Sequence, residues 1–332
     1  MRRLYHLRFP QINKATNKNF KKQINYNNFT SLIVLFPNQS FFKMALLPTL
    51  YSFTNRWECD ENDHLNVQFY FSRFDEADQQ FRLISGLSDT VAGARRVRHV
   101  RYHKELRTGE LITVHSGIAF DGPHLLTVVH EMRNAGTGAL SATAIDGYEP
   151  SPSTVKSLRQ RFADYQTPMP PDATPRGLSA SPASARPALD KLLQGNGALC
   201  FRGTVMPRHV NADGKADDQF ALSCCTDGVP HVWERSPLTQ AYLTQHNLGR
   251  VAIEMKLIWH SPLKSGDMLV VASGFTGSQN KTFGMRHHVF ESRTSRLAAT
   301  LDVVALTMDL EARRAVELPE EARSAISKMV LS

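Results

Sequence analysis

No stretch of the sequence is both apolar and long enough to cross a bilayer. The early apolar patch Leu32–Phe36 falls far short of the ~20 residues a spanning helix needs, so no membrane partner is expected. Cysteine is scarce. Cys59, Cys200, Cys224 and Cys225 form no C-x-x-C pair and no Cys/His spacing of a metal centre, and adjacent cysteines rarely bridge each other. No disulfide framework and no metal site are expected, and the usage fits a reducing compartment. The chain also lacks a G-x-S-x-G nucleophile elbow, a P-loop and a dinucleotide fingerprint. Those absences argue against α/β-hydrolase, nucleotide-triphosphatase and Rossmann-type chemistry.

Excess charge is missing too, once its location is considered. A formal net charge of +8 over 332 residues would suggest an anionic partner if it were spread over a folded surface. Residues 1–43, however, carry Arg2, Arg3, Arg8, Lys14, Lys18, Lys21, Lys22 and Lys43 with no Asp or Glu, which leaves 31 basic against 31 acidic residues in the remainder. A neutral body gives no ground for nucleic-acid binding. The basic segment is rich in Asn and Phe, shows no sustained period, and ends in an abrupt change of composition at Met44. An organellar presequence would be basic, acid-free and removed, and a disordered arm would look similar. An over-long reading frame whose true start is Met44 is the favoured explanation. The expected location is cytoplasmic, with organellar import through residues 1–43 left open.

What is present is an internal repeat. A shift of 157 residues lays 99–145 over 256–302 without a gap, matching His103 with His260, Gly109 with Gly266, Ser116 with Ser273 and His130 with His287. Ile112, Val114, Ile118 and Phe120 lie along one copy, and Leu269, Val271, Ser273 and Phe275 along the other, with the period of two of a half-buried strand. The turns RTGE (107–110) and KSGD (264–267) place a Gly where positive φ is needed. Upstream, an offset near 151 lays Asp60–Glu76 over Asn211–Asp227. There Ser72 is expected to cap a helix carrying Phe74, Ala77, Phe81 and Ile84, with Gly86 as its stop. Each copy reads as strand, loop, one long helix and a run of antiparallel strands, an α+β plan in which the sheet's apolar face packs on the helix.

The expected division is an extraneous or disordered extension at 1–43, a first domain at 44–150, a linker at 151–195, a second domain at 196–320 and a tail at 321–332. The linker carries a short helix near Val155–Tyr165 followed by a proline-rich run that disfavours helix and sheet interiors. A terminal helix is expected near Glu317–Val330.

The densest polar constellation is Trp57-Glu-Cys-Asp-Glu-Asn-Asp-His-Leu-Asn-Val-Gln-Phe-Tyr70, just before the first helix. A carboxylate there can attack a carbonyl or activate water, and free amides at a helix start can hold developing negative charge. The stretch resembles the 4-hydroxybenzoyl-CoA thioesterase-like branch of the hot-dog superfamily, whose pattern is approximately D-x-x-G-H-V/M-N-x-x-x-Y. The segments LRTGELITVHSG, LKSGDMLVVASG and HEMRNAGTGALSAT look like strands of the same family. The resemblance covers most of residues 50–150 and 200–315 and implies two tandem hot-dog domains paired as a pseudo-dimer. It further implies that Asp60 is the nucleophile or general base and that His64 and Asn66 shape the loop and orient substrate or water. Tyr70 falls in the substrate-binding surface on this reading, and Glu76 stands as a reserve carboxylate. The departure is Asp63, where Gly is usual, although Asp tolerates the left-handed conformation better than most residues.

The second copy has eroded: Asn211, Lys215 and Asp217 stand where Asp60, His64 and Asn66 would be. One working pocket is therefore expected, centred on Asp60 and lined in part by the second copy, with Asp227 and His231 as candidate substrate-binding residues. Pro230 should shorten or kink the second helix. His130 and His287 read as satisfied core histidines, and His99, Arg101 and His103 as a solvated strand face. The expected activity is hydrolysis of an acyl-CoA or acyl-carrier-protein thioester without a cofactor, with further homo-oligomerisation left open. The alternatives are a non-catalytic acyl-CoA-binding protein and, less favoured, an enoyl-CoA hydratase, whose D-x-N-P-x-H pattern is lacking.

Overall fold

Each copy turns its alternating pattern into the same order of elements. The computed structural model describes residues 46–331; the 1–43 extension and the proposed Met44 start lie outside them. The first copy contains β1 (Leu47–Phe53), α1 (Val67–Ser85), the short α2 (Asp89–Ala92), β2 (Arg95–Tyr102), β3 (Leu111–Ala119), β4 (Leu126–Asn134) and β5 (Leu140–Tyr148). The segment between copies contributes α3 (Val155–Arg161) and α4 (Leu189–Gln194). The second copy follows with β6 (Ala198–Thr204), α5 (Asp218–Gly228), α6 (Pro230–Trp233), α7 (Gln240–Gln245), β7 (Leu248–Trp259), β8 (Met268–Ser278), β9 (Thr282–Glu291) and β10 (Arg296–Asp309). Strand β11 (Arg314–Ala315) and α8 (Glu320–Lys328) close the chain.

Strands pair antiparallel in the order β1-β3-β4-β5-β2-β7-β10-β9-β8-β6, with β11 added to β10. The first five and last five mirror each other. They meet where β2 pairs β7, Val97 opposite Ile258 and Arg101 opposite Glu254, so the repeat closes into one continuous sheet. Helices α1 and α5 lie against each other, and side chains of both copies enter a common core that includes Phe71, Phe74, Leu222 and Leu257. This is the double hot-dog arrangement of an α+β fold.

Helix starts are set by single side chains. Asn66, in extended backbone, accepts a hydrogen bond from the Gln68 amide at 3.2 Å and caps α1. The expected start at Ser72 is thus corrected: the cap is Asn66, and the buried stripe begins at Tyr70 and Phe71. Gly86, at φ +74°, ends the helix as expected. In the second copy Asp217 accepts from the Phe220 amide at 2.8 Å, but α5 is shorter and Pro230 starts the separate α6. The terminal helix expected near Glu317–Val330 is α8, whose Ala322 and Ile326 are buried in the common core.

Beneath α1 lies a buried ionic network. Arg98, 1% exposed, donates from Nε to Asp146 Oδ1 at 2.8 Å and from Nη2 to Oδ2 at 2.7 Å. Its Nη1 reaches Asp75 of α1 at 2.5 Å and Asp218 of α5 at 3.1 Å. Arg95 binds Asp218 at 2.5 Å, and the Trp259 indole donates to Asp218 at 2.7 Å, so one network ties both helices to both halves of the sheet. Burial opposes ionisation of Asp146, but Arg98 and then Arg95 outweigh it and hold the carboxyl well below its usual range. Burial, reinforced by Asp218, pushes Asp75 up to about 8.

The linker covers strands that were expected to face solvent. Arg101 Nη1 donates to the carbonyls of Asp172 and Thr174 at 2.5 and 2.9 Å, and His99 Nε2 lies 2.6 Å from Glu254. Glu254 in turn accepts from the Arg176 and Gly177 amides at 2.9 and 2.5 Å, and Ala173 packs on Ala119, Val129 and Ile145. His99 and Arg101 are therefore buried, which corrects the solvated-face expectation for those two residues, while His103 is exposed as expected. Extended linker backbone needs partners when buried, and these side chains supply them.

The histidines of the repeat meet their expectation. His130 Nδ1 lies 2.7 Å from Ser116 Oγ, and His287 Nδ1 lies 2.7 Å from Ser273 Oγ.

Two stability predictions follow from the packing. Arg98→Met removes the bidentate partner of Asp146, leaving it the Arg95 contact at 3.3 Å, and should lower unfolding free energy by about 3–5 kcal/mol in urea titration; a loss below about 1 kcal/mol would show that the network is dispensable. Burial pushes His287 down to about 4, so it stays neutral in the fold while the unfolded chain takes up a proton near 6.5. That contribution to stability is complete above about pH 6.5 and is lost as pH falls toward 4; a urea midpoint constant from pH 7 to 5 contradicts it.

Candidate active site

The Asp60 turn is built by hydrogen bonds to one carboxylate oxygen. Asp60 Oδ1 accepts from the Asn62 amide at 2.9 Å and the His64 amide at 3.1 Å, while the Asp60 amide donates to the His64 carbonyl at 2.8 Å. Asp63 takes φ +59°, as expected for the residue standing where the family pattern has Gly, and Thr108 Oγ1 donates to its Oδ1 at 2.7 Å. The second copy repeats the geometry with an amide side chain. Asn211 Oδ1 accepts from the Asp213 and Lys215 amides at 3.0 and 3.2 Å, with Gly214 at φ +71°. The turn therefore needs one side-chain oxygen and no charge. What Asp60 adds over Asn211 is its second, ionisable oxygen.

Burial, the largest influence, raises the Asp60 carboxyl above its ordinary value against the lowering effect of the two amides. Burial likewise lowers His64, opposed by Asp60. His64 Nε2 sits 3.5 Å from Glu105, and Glu105 pairs with Arg313 in the turn between β10 and β11. A side chain of the second copy thus reaches the site of the first. At the start of α1, the Gln68 amide is taken by Asn66 Oδ1 and the Phe69 amide by the Asn66 carbonyl, and the Val67 N–H has no acceptor among the described residues. The helix start offers fewer free amides than expected.

Glu61 and Asn62, the next residues of the turn, line a cleft of about 250 Å³ with Trp233, Gln240, Leu243, Thr244, Arg250 and Leu310 of the second copy. Arg250 stacks on Trp233 with its guanidinium carbon 3.6 Å from the ring centre. Its Nη1 donates to the Leu238 carbonyl at 2.8 Å, and burial pushes its guanidinium down to about 10. The Asp60 turn and a cleft walled by both copies are brought together.

The remaining expected residues lie elsewhere or have other tasks. Asn66 is the α1 cap. Tyr70 is 4% exposed, accepts from the Leu106 amide at 3.2 Å and has its hydroxyl pushed up to about 12 by burial; it sits in the core and braces the loop before β3. Glu76 is exposed, with Arg73 at 3.7 Å, while the carboxylate engaged in the buried network is its neighbour Asp75. Asp227 and His231 are exposed and do not line the cleft, because the chain restarts at Pro230 and it is Trp233 that does. Glu105, Arg313, Trp233 and Arg250 were missed: their proximity arises from pairing of the two copies, which no local pattern reports. Asp78, His130 and Asp146 offer atoms within 4.8 Å of one another, but Arg82 binds Asp78 at 2.8 Å and Arg98 binds Asp146, so both carboxylates are already engaged by arginines.

Residues 205–326 match the family model of the thioesterase-like superfamily. No significant match to a curated protein sequence was found. Solved structures share the fold across most of the chain. A protein from Lactobacillus plantarum described as an oleoyl thioesterase is 12% identical, with 80% of this chain and 97% of that chain covered at a TM-score of 0.54. An acyl-ACP thioesterase from Bacteroides thetaiotaomicron is 11% identical, with coverage of 77% and 96% and a TM-score of 0.53. The 12:0-ACP thioesterase from Umbellularia californica is 10% identical, with 78% and 93% covered at 0.51.

The turn geometry carries a test of its own. Asp63→Gly should leave stability within about 1 kcal/mol of the parent, whereas Asp63→Val should cost more than that, since a β-branched residue resists positive φ. Equal thermal midpoints for the two variants would contradict the strained-turn reading.

Proposed function

We propose that the protein hydrolyses the thioester of an acyl-CoA or acyl-carrier-protein conjugate, with the Asp60 carboxylate acting on the thioester carbonyl. The carrying observation is the contrast between Asp60 and Asn211. Both make the same turn, so the ionisable oxygen of Asp60 is superfluous to folding, and its turn neighbours Glu61 and Asn62 line a cleft walled by both copies. The match of residues 205–326 to thioesterase-like proteins and the fold shared with the acyl thioesterases above support the same reaction class.

In the proposed step, Asp60 takes a proton from water, and the oxygen of that water bonds to the thioester carbonyl carbon; direct attack by the carboxylate, followed by hydrolysis of the resulting anhydride, uses the same residue. The carbonyl oxygen becomes negative and receives the Val67 N–H at the start of α1, where the helix dipole favours an anion. The carbon–sulfur bond then breaks, and the departing thiolate takes up the proton. Burial helps by keeping Asp60 more basic than a surface carboxylate. His64, held near Glu105, borders the turn and fixes its far end.

A second reading, binding without turnover, draws on the eroded second motif, in which Asn211 leaves no carboxylate at the position of Asp60 and Lys215 replaces His64. Thiol release separates the two readings. Asp60→Asn should lower turnover of acyl-CoA by about 10²- to 10⁴-fold with unchanged circular dichroism, because Asn preserves the turn. Retained turnover in the folded variant removes the mechanism. The ionised form is the active one, so the parent's rate should fall with acidification, with its midpoint above the ~3.9 of a free Asp; a rate that increases toward low pH would exclude Asp60 as base or nucleophile.

A further inference from the structure

The eroded copy keeps the frame of the Asp60 loop but lacks a second set of side chains along with the carboxylate. In each copy the turn before the helix docks on the loop before the next-but-one strand. The Leu65 amide donates to the Leu106 carbonyl and the Ala216 amide to the Leu263 carbonyl, both at 2.8 Å. A backbone bridge joins His64 to Arg107, as another joins Lys215 to Lys264. The 157-residue offset sets Glu105 against Pro262, and the upstream offset sets His64 against Lys215. Neither the imidazole nor the Glu105 carboxylate is therefore needed to hold the two loops together. What they add in the first copy is chemistry at one edge of the Asp60 turn.

That edge is completed from the other copy. Arg313 stands in the turn between β10 and β11 at φ +52°. Among the described residues, the other non-glycine positions with positive φ are Asp63, Asn247 and Ser295, all with short polar side chains; Arg313 is long and charged. The turn itself is closed by Asp309 Oδ1, which accepts from the Glu311 and Ala312 amides at 2.9 Å each. Arg313 gives the turn nothing that glycine would not supply with less strain. Strain held in this way directs attention to the side chain. Its guanidinium pairs with Glu105 across the two copies, and Glu105 Oε2 faces His64 Nε2 at 3.5 Å. His64 is 8% exposed, and its buried Nε2 makes no hydrogen bond to any other described residue. The charges facing the ring are Asp60 and Asp63 of its own turn, Glu105 and Arg107 of the loop before β3, and Arg313. Burial does most to hold the imidazole below its ordinary value; Asp60 opposes this and Arg313 reinforces it.

We propose that Arg313 and Glu105 are positioning residues for the Asp60 site: Arg313 fixes the Glu105 carboxylate, that carboxylate takes the Nε2–H of His64, and the ring keeps its Nδ1 lone pair for a water beside Asp60. This deepens the thioesterase reading and rests on it for the substrate. The water carries two protons. Asp60 removes one as the oxygen bonds to the thioester carbonyl carbon. His64 Nδ1 accepts a hydrogen bond from the other, which stays on that oxygen and leaves with the acid product. Two acceptors fix the direction of the oxygen lone pair, which one carboxylate does not. An unheld imidazole is free to turn over or to carry its proton on Nδ1, and then no longer offers the water that acceptor. The turn of the second copy thereby completes the site of the first, and the copy without the carboxylate also lacks the imidazole and the glutamate.

Arg313→Gly in the full-length protein separates the two roles of the position. Glycine suits the positive φ, so the thermal midpoint should not fall. Thiol release from acyl-CoA should slow about 10- to 100-fold in kcat, with KM altered less than about threefold. Arg313→Lys, which keeps the charge, should recover most of that loss. The exchange of Glu105→Arg with Arg313→Glu restores an ion pair but sets a cation against Nε2. It should stay as slow as Arg313→Gly, whereas a pair that serves only stability would be restored. One readout is independent of turnover. The His64 imidazole, assigned by NMR against His64→Gln, should titrate at higher pH in Arg313→Gly than in the parent. A cation has then been removed and Glu105 is left to favour the imidazolium; the acid limb of kcat/KM should move the same way. Full turnover in folded Arg313→Gly or in the exchange, an unmoved His64 titration, or a midpoint well below the parent's overturns the proposal. If no acyl-CoA releases thiol, the hydrolytic reading fails and the titration still decides the pairing. If Asp60→Asn abolishes hydrolysis and Arg313→Gly does not slow it, the hydrolytic reading stands and the positioning role falls.

Discussion

The antiparallel junction of β2 with β7 is the interaction on which the rest of the molecule depends. Val97 to Arg101 run opposite Ile258 to Glu254 and turn two half-sheets into one. That junction brings α1 against α5, carries Arg98 to Asp218, and sets the Asp60 turn beside α6, α7 and the start of β7. Without it each copy would expose a long sheet edge and an uncovered helix face. The ionic network is the companion constraint: Arg95 and Arg98 satisfy carboxylates from both copies at once, so neither half can shift without leaving a buried charge unpaired.

Duplication followed by divergence explains the distribution of chemistry. The turn before each helix survives in both copies because it needs only an oxygen acceptor and one residue tolerant of positive φ, conditions met by Asp60 with Asp63 and by Asn211 with Gly214. An ionisable side chain stands at the first position of the turn in one copy, as Asp60. The interiors also differ, charged beneath the Asp60 turn and more apolar beneath the Asn211 turn.

Much of this was legible in the sequence, for physical reasons. Period-two strands, the paired turn glycines Gly109 and Gly266, the Gly86 stop and the break at Pro230 are local consequences of backbone geometry, and all appear where the residues demand. The Asp60 turn was legible as a motif. The helix start was misread, because Ser72 is as good a cap by type as Asn66 and only the preceding turn decides between them. Tyr70, Glu76, Asp227 and His231 were assigned to function by position in a pattern, yet their roles depend on which way a helix face turns after packing. The cleft wall of Trp233, Arg250 and Leu310 and the Glu105–Arg313 pair are products of long-range association, and the linker's burial by Arg101 and Glu254 is another. No periodicity encodes such contacts.

The most direct test of the central claim is a crystal structure of the Asp60→Asn variant with an intact acyl-CoA. The account predicts the thioester carbonyl carbon within about 3.5 Å of the residue-60 side chain or of a water held by it, the distance expected of a reactive pose. A thioester bound more than one residue's length from that turn, or on the face covered by the linker, would contradict the account.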